Sequence, residues 1–198
     1  WGTLSWLTLG KSIRPSAGSV LYEKVGKREH TPLCGNAIFF SGPIGAGKTT
    51  LGRAVATRLG AKFVDGDDYS DPGRPWYASS LSTSRRIAVE AISALGSGAS
   101  VIVAYPLRRT NFIYFRRVIG DAGYRVIVVT LRARREAILS PKRGRVFDEG
   151  ERIRIGEMID QGYADRSFSD LVVDTDMADF QRTATKIADR LEPLLTRA

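Results

Sequence analysis

From Ala37 to its end the chain alternates short apolar runs with stretches of helical spacing. Ala37 to Ser41 is an unbroken run that predicts a first strand. Leu51, Ala54, Val55 and Leu59 then recur every three or four positions, the mark of a helix with one buried face, and Gly60 is its stop. Lys62 to Val64 predicts a short second strand, and Ala88, Ala91, Ile92 and Leu95 a helix closed by Gly96. Ser100 to Ala104 is a third strand, Asn111 to Ala122 a helix, Arg125 to Leu131 a fourth strand, and Gly150 to Gln161 a helix beyond a basic loop. Leu171 to Asp174 is the fifth strand, and Phe180, Ala184, Ile187, Ala188, Leu191 and Leu195 share one face of a last helix. Such alternation is the sequence form of an α/β domain, a parallel sheet with helices on both faces joined by right-handed crossovers.

Residues 1–36 show no sustained period and predict an N-terminal extension, with the folded domain over 37–198. Trp1 to Tyr22 holds no acid and several Ser and Thr, a trait shared with transit peptides, while His30 has no role assigned. The single cysteine, Cys34, excludes an intramolecular disulfide. Ala37 to Phe40 and Val126 to Leu131, the longest apolar stretches, fall far short of the ~20 residues a bilayer span needs. The expected setting is cytoplasmic. Whether the protein is a monomer or a dimer is open at this point.

The net charge of +9 is concentrated: Pro106 to Arg145 holds eleven Lys or Arg against two acids, Asp121 and Glu136. A basic stretch of this kind fits an enzyme with phosphate or other anionic substrates, and also a face that binds nucleic acid. Salt-dependent binding of nucleic acid, gated by a nucleotide, is the alternative to catalysis on a small molecule, and a polynucleotide 5′-hydroxyl kinase would join the two. No nucleic-acid-binding module is visible, and the aromatic residues are not interleaved with the basic ones.

Directly after the first strand the chain reads Gly42, Pro43, Ile44, Gly45, Ala46, Gly47, Lys48, Thr49, with Thr50 following as the helix opens. This satisfies the phosphate-loop pattern G-x-x-x-x-G-K-[ST] in the required strand-to-helix context. Backbone N–H groups must curl inward around a phosphate, which demands conformations that Gly45 and Gly47 adopt freely. The helix adds its positive end, Lys48 should bridge the outer phosphates, and the Thr49 hydroxyl should hold Mg²⁺. The fold expected is therefore the three-layer P-loop NTPase fold, and ATP with Mg²⁺ the expected cofactor.

Phe63 to Asp68 places Asp65, Asp67 and Asp68 at the C-terminal end of the second strand, the edge where open α/β sheets bind ligands. Phosphoryl transfer needs a group to orient the acceptor hydroxyl and take its proton, a part suited to Asp67, which would also anchor the substrate. Asp65 is the candidate for the Mg²⁺ water shell.

The phosphate loop, the Asp65-Gly66-Asp67 turn, the strand ending Val103 to Arg109 and the Ser169 to Thr175 segment together resemble the shikimate kinase and gluconate kinase group of small P-loop kinases over roughly Ala37 to Leu195. That resemblance implies a five-stranded parallel sheet of order 2-3-1-4-5, a mobile lid carrying arginine, and ATP-dependent phosphorylation of a small hydroxylated compound, which the basic stretch suggests is an anionic metabolite. The lid would span about 133–149 and act through Arg143 or Arg145, with Arg132 or Arg134 near the adenine or phosphates. Asp174 and Thr175 would lie beside the adenine. Arg74, Arg85, Arg108 and Arg109 are candidates for holding an acceptor carboxylate or phosphate, and Tyr69 to Tyr77 for a loop capping it. Two departures stand out. Ala104 to Leu107 replaces the glycine triplet of shikimate kinases, and no substrate arginine immediately precedes Tyr163.

Overall fold

The structure is a computed structural model that describes residues 35–70, 73 and 76–196. Most of the predicted extension, with Trp1, Trp6, His30 and Cys34, lies outside the described residues, as does Arg74.

Strands β1 (Asn36–Ser41), β2 (Lys62–Asp65), β3 (Val101–Ala104), β4 (Arg125–Arg132) and β5 (Leu171–Asp174) form one sheet in the order β2-β3-β1-β4-β5. All pairings are parallel. Helices α1 (Lys48–Leu59), α2 (Trp76–Leu95), α3 (Arg109–Asp121), α5 (Glu149–Asp160) and α6 (Phe180–Leu195) pack around it, with a short α4 (Arg135–Ile138) between β4 and α5. The order and the helices on both faces are those the resemblance implied. Among the described residues no helix is long and apolar enough to cross a membrane.

Successive strand residues face opposite ways, and both faces are covered, which is why the strands read as continuous apolar runs. Phe40, Ile38, Ile127 and Val129 pack against Leu51 and Val55 of α1 and Ile187 and Leu191 of α6. Phe39, Ala37, Val101 and Val103 pack against Ile87 and Leu95 of α2 and Phe115 and Ile119 of α3. A third, smaller cluster joins Ala133, Ile138, Phe147 and Ile155 to Ile44 of the phosphate loop. The predicted lid is thus packed down on that loop.

Register sets the working edge. Phe40 and Asp65 both align with Ala104, so the phosphate loop, the acidic turn and the Tyr105 to Leu107 segment all leave the sheet at one level. Ser41 Oγ accepts the Leu107 N–H at 2.9 Å and ties two of these exits together.

One element differs from its expectation. Helix α2 begins at Trp76, so Trp76 and Tyr77 belong to it and the capping loop is shorter than predicted. Apolar spacing fails there because the buried stripe of the helix changes chemistry. Ser80, Thr83, Ser84 and Ile87 follow one another at helical spacing, and Thr83 and Ser84 are only 2% and 1% exposed. Ser84 Oγ donates to the Ser80 carbonyl and accepts from Asn111 Nδ2, each at 2.8 Å, so the buried hydroxyl is satisfied.

Candidate active site

Gly45 and Gly47 have φ of 76° and 98°, the left-handed conformation the pattern required, and Gly42 has φ of 139°. At Gly42 a Cβ would collide with the Leu131 carbonyl oxygen, which gives this glycine a second reason to be there. The Lys48 ammonium folds back onto the loop, donating to the carbonyls of Pro43 at 2.8 Å and Gly42 at 3.2 Å. Burial lowers its pKa to about 8, although Asp67 and Asp65 pull it upward.

Asp65 caps the 3₁₀ turn Gly66–Tyr69 by accepting the Asp67 N–H at 3.2 Å, and its other oxygen lies 4.0 Å from Arg53. That turn delivers Asp67 to the cleft. Gly66 permits the approach, since a Cβ there would come within 2.5 Å of the Tyr105 ring. The Asp67 carboxyl is pushed above its ordinary pKa by burial, with Lys48 opposing the shift. Arg145 is close enough to lower the pKa of both Lys48 and Asp67.

The two lid arginines part company. Arg143 donates to the carbonyl of Gly45 at 3.0 Å and to that of Thr175 at 2.8 Å, bridging the phosphate loop and the turn after β5. The Thr175 hydroxyl donates to the Ala46 carbonyl at 3.0 Å and closes the same seam. Arg145 instead lies on the side of Lys48 and Asp67, held by Glu151 at 2.6 Å with its guanidinium 4.7 Å from the centre of the Phe147 ring.

Lys48, Asp67, Arg143, Arg145 and Thr175 line one cleft of about 1020 Å³. Ile44 to Leu51, Lys142, Arg143, Thr175, Ala178, Phe180 and Thr183 form the half around the phosphate loop, the half expected to take a nucleotide. Its other half gathers Asp67, Ser80, Thr83, Tyr105, Arg108, Asn111, Arg145, Glu151, Arg154 and Tyr163. Arg108 Nε donates to the Tyr163 hydroxyl at 2.6 Å, and Arg154 to Glu157 at 2.6 Å.

Several predicted residues lie elsewhere. Asp65 does not line the cleft, and its carboxylate works on the backbone of the turn. Asp174 is engaged by Arg132 at 2.5 and 3.1 Å, so it is the neighbouring Thr175 that reaches the nucleotide half. Arg134, with a side chain 71% exposed, pairs with Asp176 at 2.7 Å rather than entering the cleft. Arg85 is on the exposed side of α2, because its neighbours Thr83 and Ser84 take the buried side. Arg109 misses the main cleft and lines a smaller pocket shared with Arg108. The basic stretch is also less free than its charge suggests, since Arg117, Arg132, Arg134 and Arg145 each face a carboxylate.

Sequence reading missed the hydroxyl stripe of α2, Tyr105, Asn111, Arg154 and Tyr163. The stripe had a signal in the spacing of Ser80, Thr83 and Ser84 ahead of Ile87; the others had none.

The family whose description is AAA domain matches residues 38–161, well over half the chain and including both the phosphate loop and the acidic turn. The chain belongs to that family. Shikimate kinase of Psychrobacter cryohalolentis is 58% identical over 33 residues, 17% of this chain and 18% of that enzyme. The match therefore spans less than a fifth of the curated relative. Over the greater part of the chain the likeness is to solved structures. A sugar kinase from a Janibacter species has a TM-score of 0.64 at 16% identity, over 83% of this chain and 99% of its own. A gluconokinase from Sinorhizobium meliloti has a TM-score of 0.58 at 17% identity, over 83% and 99%. At such identities these two establish the fold alone.

Proposed function

We propose that the protein is an ATP-dependent phosphotransferase that moves the γ-phosphate to a hydroxyl of a small, anionic, polyhydroxylated metabolite. The observation that carries this reading is Asp67 set across one cleft from Lys48, each altering the other's pKa. A nucleotide-binding loop alone would not need a carboxylate opposite its lysine. The names of the relatives, shikimate kinase, sugar kinase and gluconokinase, support the same class of reaction.

In this scheme backbone N–H groups of the phosphate loop and the Lys48 ammonium hold the phosphates and share the charge that spreads over the transferred group. Asp67 accepts a hydrogen bond from the acceptor hydroxyl and takes its proton as the new O–P bond forms and the bond to ADP breaks. Arg145 reaches the same region from the lid, whereas Arg143 staples the lid to the nucleotide half. Thr49 is a hard oxygen donor on the cleft wall. This suits Mg²⁺, which is held by one or two protein oxygens together with phosphates and water. Bound there, the ion would supply charge neutralisation. Asp65 fixes the turn that presents Asp67. Hydroxyls and amides of Ser80, Thr83, Tyr105 and Asn111 offer a polar wall for a polyhydroxylated acceptor, with Arg108 and Arg154 for its negative charge.

The test is a product-detecting ATP assay over a panel of sugars and hydroxy acids. Wild type should phosphorylate at least one, and Asp67→Asn should lower kcat by about 10² to 10⁴ while keeping ATP-analogue affinity within about twofold. Equal turnover by both proteins would remove Asp67 from the reaction.

A further inference from the structure

We propose that the small pocket between the start of α3 and the turn after α5 is a second anion site that takes a phosphate group, apart from the phosphate loop. Arg108, Arg109, Gln161, Tyr163 and Arg166 line it, so that three guanidinium groups and no carboxylate face about 400 Å³. That volume is at the lower end for ligand pockets and ample for a phosphate monoester.

Tyr163 is the scaffold of the site and is itself buried. Its hydroxyl accepts from Arg108 Nε at 2.6 Å, and its ring carries the Arg166 guanidinium 4.1 Å above the centroid. Arg166 is further fixed by a 3.0 Å hydrogen bond from Nη1 to the Gln161 carbonyl. Two planar forks are therefore oriented in advance, which lowers the ordering cost of binding a tetrahedral anion. Arg166 Nε is buried without a hydrogen-bond partner, a singular condition for a side-chain nitrogen or oxygen among the described residues. Arg109 opens α3, whose first N–H groups add a positive helix end to the same wall.

Arg108 and Tyr163 also line the main cleft, so the two cavities share a wall at its acceptor end. A phosphate in the outer pocket is thus one side chain away from the acceptor. It can belong to the far end of an elongated acceptor or to a separate phosphorylated metabolite, since the recognition chemistry is common to both. Binding in this pocket does not depend on the kinase reading.

Inorganic phosphate is titrated calorimetrically into the full chain with the phosphate loop filled by a non-hydrolysable ATP analogue and Mg²⁺. Wild type should bind one phosphate, and Arg166→Gln should weaken it about tenfold or more, with analogue affinity unchanged within about twofold. Arg166→Lys, which keeps the charge and loses the fork, should fall between. Should Arg166→Gln not fold, Arg109→Gln, altered at an exposed side chain, should show the same weakening. Absence of phosphate binding to wild type, or equal affinity in wild type and variants, would overturn the proposal. Ribose 5-phosphate separates the sources. Binding at least about tenfold tighter than phosphate, with the gain lost in Asp67→Asn, assigns the group to the acceptor; affinity equal to phosphate in both proteins assigns it to a separate metabolite. If the analogue itself fails to bind, the kinase reading falls, while the same titration without it still decides the pocket by comparing Arg166→Gln with wild type.

Discussion

The two halves of the cleft are assembled in opposite ways. In the proposed function the nucleotide half rests on eight consecutive residues whose backbone would be the recognition surface, so its chemistry is local and its conformation is set by Gly42, Gly45 and Gly47. The half proposed for the acceptor is drawn from single side chains on the acidic turn, α2, the exit of β3, α3, the lid and α5, spread from Asp67 to Tyr163. A backbone cradle tolerates little change and binds one kind of group. A wall of side chains from many elements can be rebuilt one position at a time. A fold of this kind can therefore keep its phosphate loop while its acceptor wall is rebuilt.

The largest effect expected is for Lys48→Ala, which removes the charge between the halves. Phosphotransfer should fall by about 10³ or more, measured as single-turnover product formation. If the loss were equally severe for Arg143→Lys and mild for Arg145→Lys, the division of the lid between staple and transfer region would be reversed.

The local half should be brittle in folding as well as binding. Gly45→Ala forces a side chain into φ of 76° and sets its Cβ within 2.6 Å of Ile138 Cγ2 and 2.9 Å of Phe147 Cζ. A stability loss of about 2–4 kcal/mol is expected by urea denaturation, together with weaker ATP-analogue binding. Gly60→Ala, also at positive φ but with open space around it, should lose only about 1 kcal/mol. Equal losses would mean that the lid does not press on the loop.

Proton linkage gives a finer probe. In the empty site Lys48 titrates near pH 8, below its ordinary 10.5, and bound phosphates favour the charged form. Nucleotide affinity should therefore be level below about pH 8 and weaken by up to about tenfold per pH unit above it, with proton uptake visible in calorimetry across buffers. For the empty protein the sign is opposite. The folded state binds fewer protons than the unfolded one between about pH 8 and 10.5, so this lysine adds stability as pH rises through that window. Asp67, raised by burial, should place the acid limb of activity above the ordinary carboxylate range.

The smallest effect is assigned to Arg132→Gln. Its pair with Asp174 is about half exposed on each side, so a change below about 1 kcal/mol is expected in stability and none in nucleotide affinity. A marked loss of ATP binding would return Arg132 to the nucleotide half.

By itself the sequence determined the strand and helix alternation, the phosphate loop and the acidic turn, because each is encoded in neighbouring residues with a fixed period or spacing. It also marked both lid arginines without distinguishing them. Only the tertiary structure decided that Arg143 staples the lid while Arg145 faces Lys48 and Asp67, and that Arg134 and Asp174 turn to ion partners outside the cleft. Likewise it alone brought Arg108 to Tyr163, 55 positions away. Such contacts follow from where crossovers return the chain over the sheet edge. That is a property of packing between distant elements and leaves no period or motif in the residues that make it.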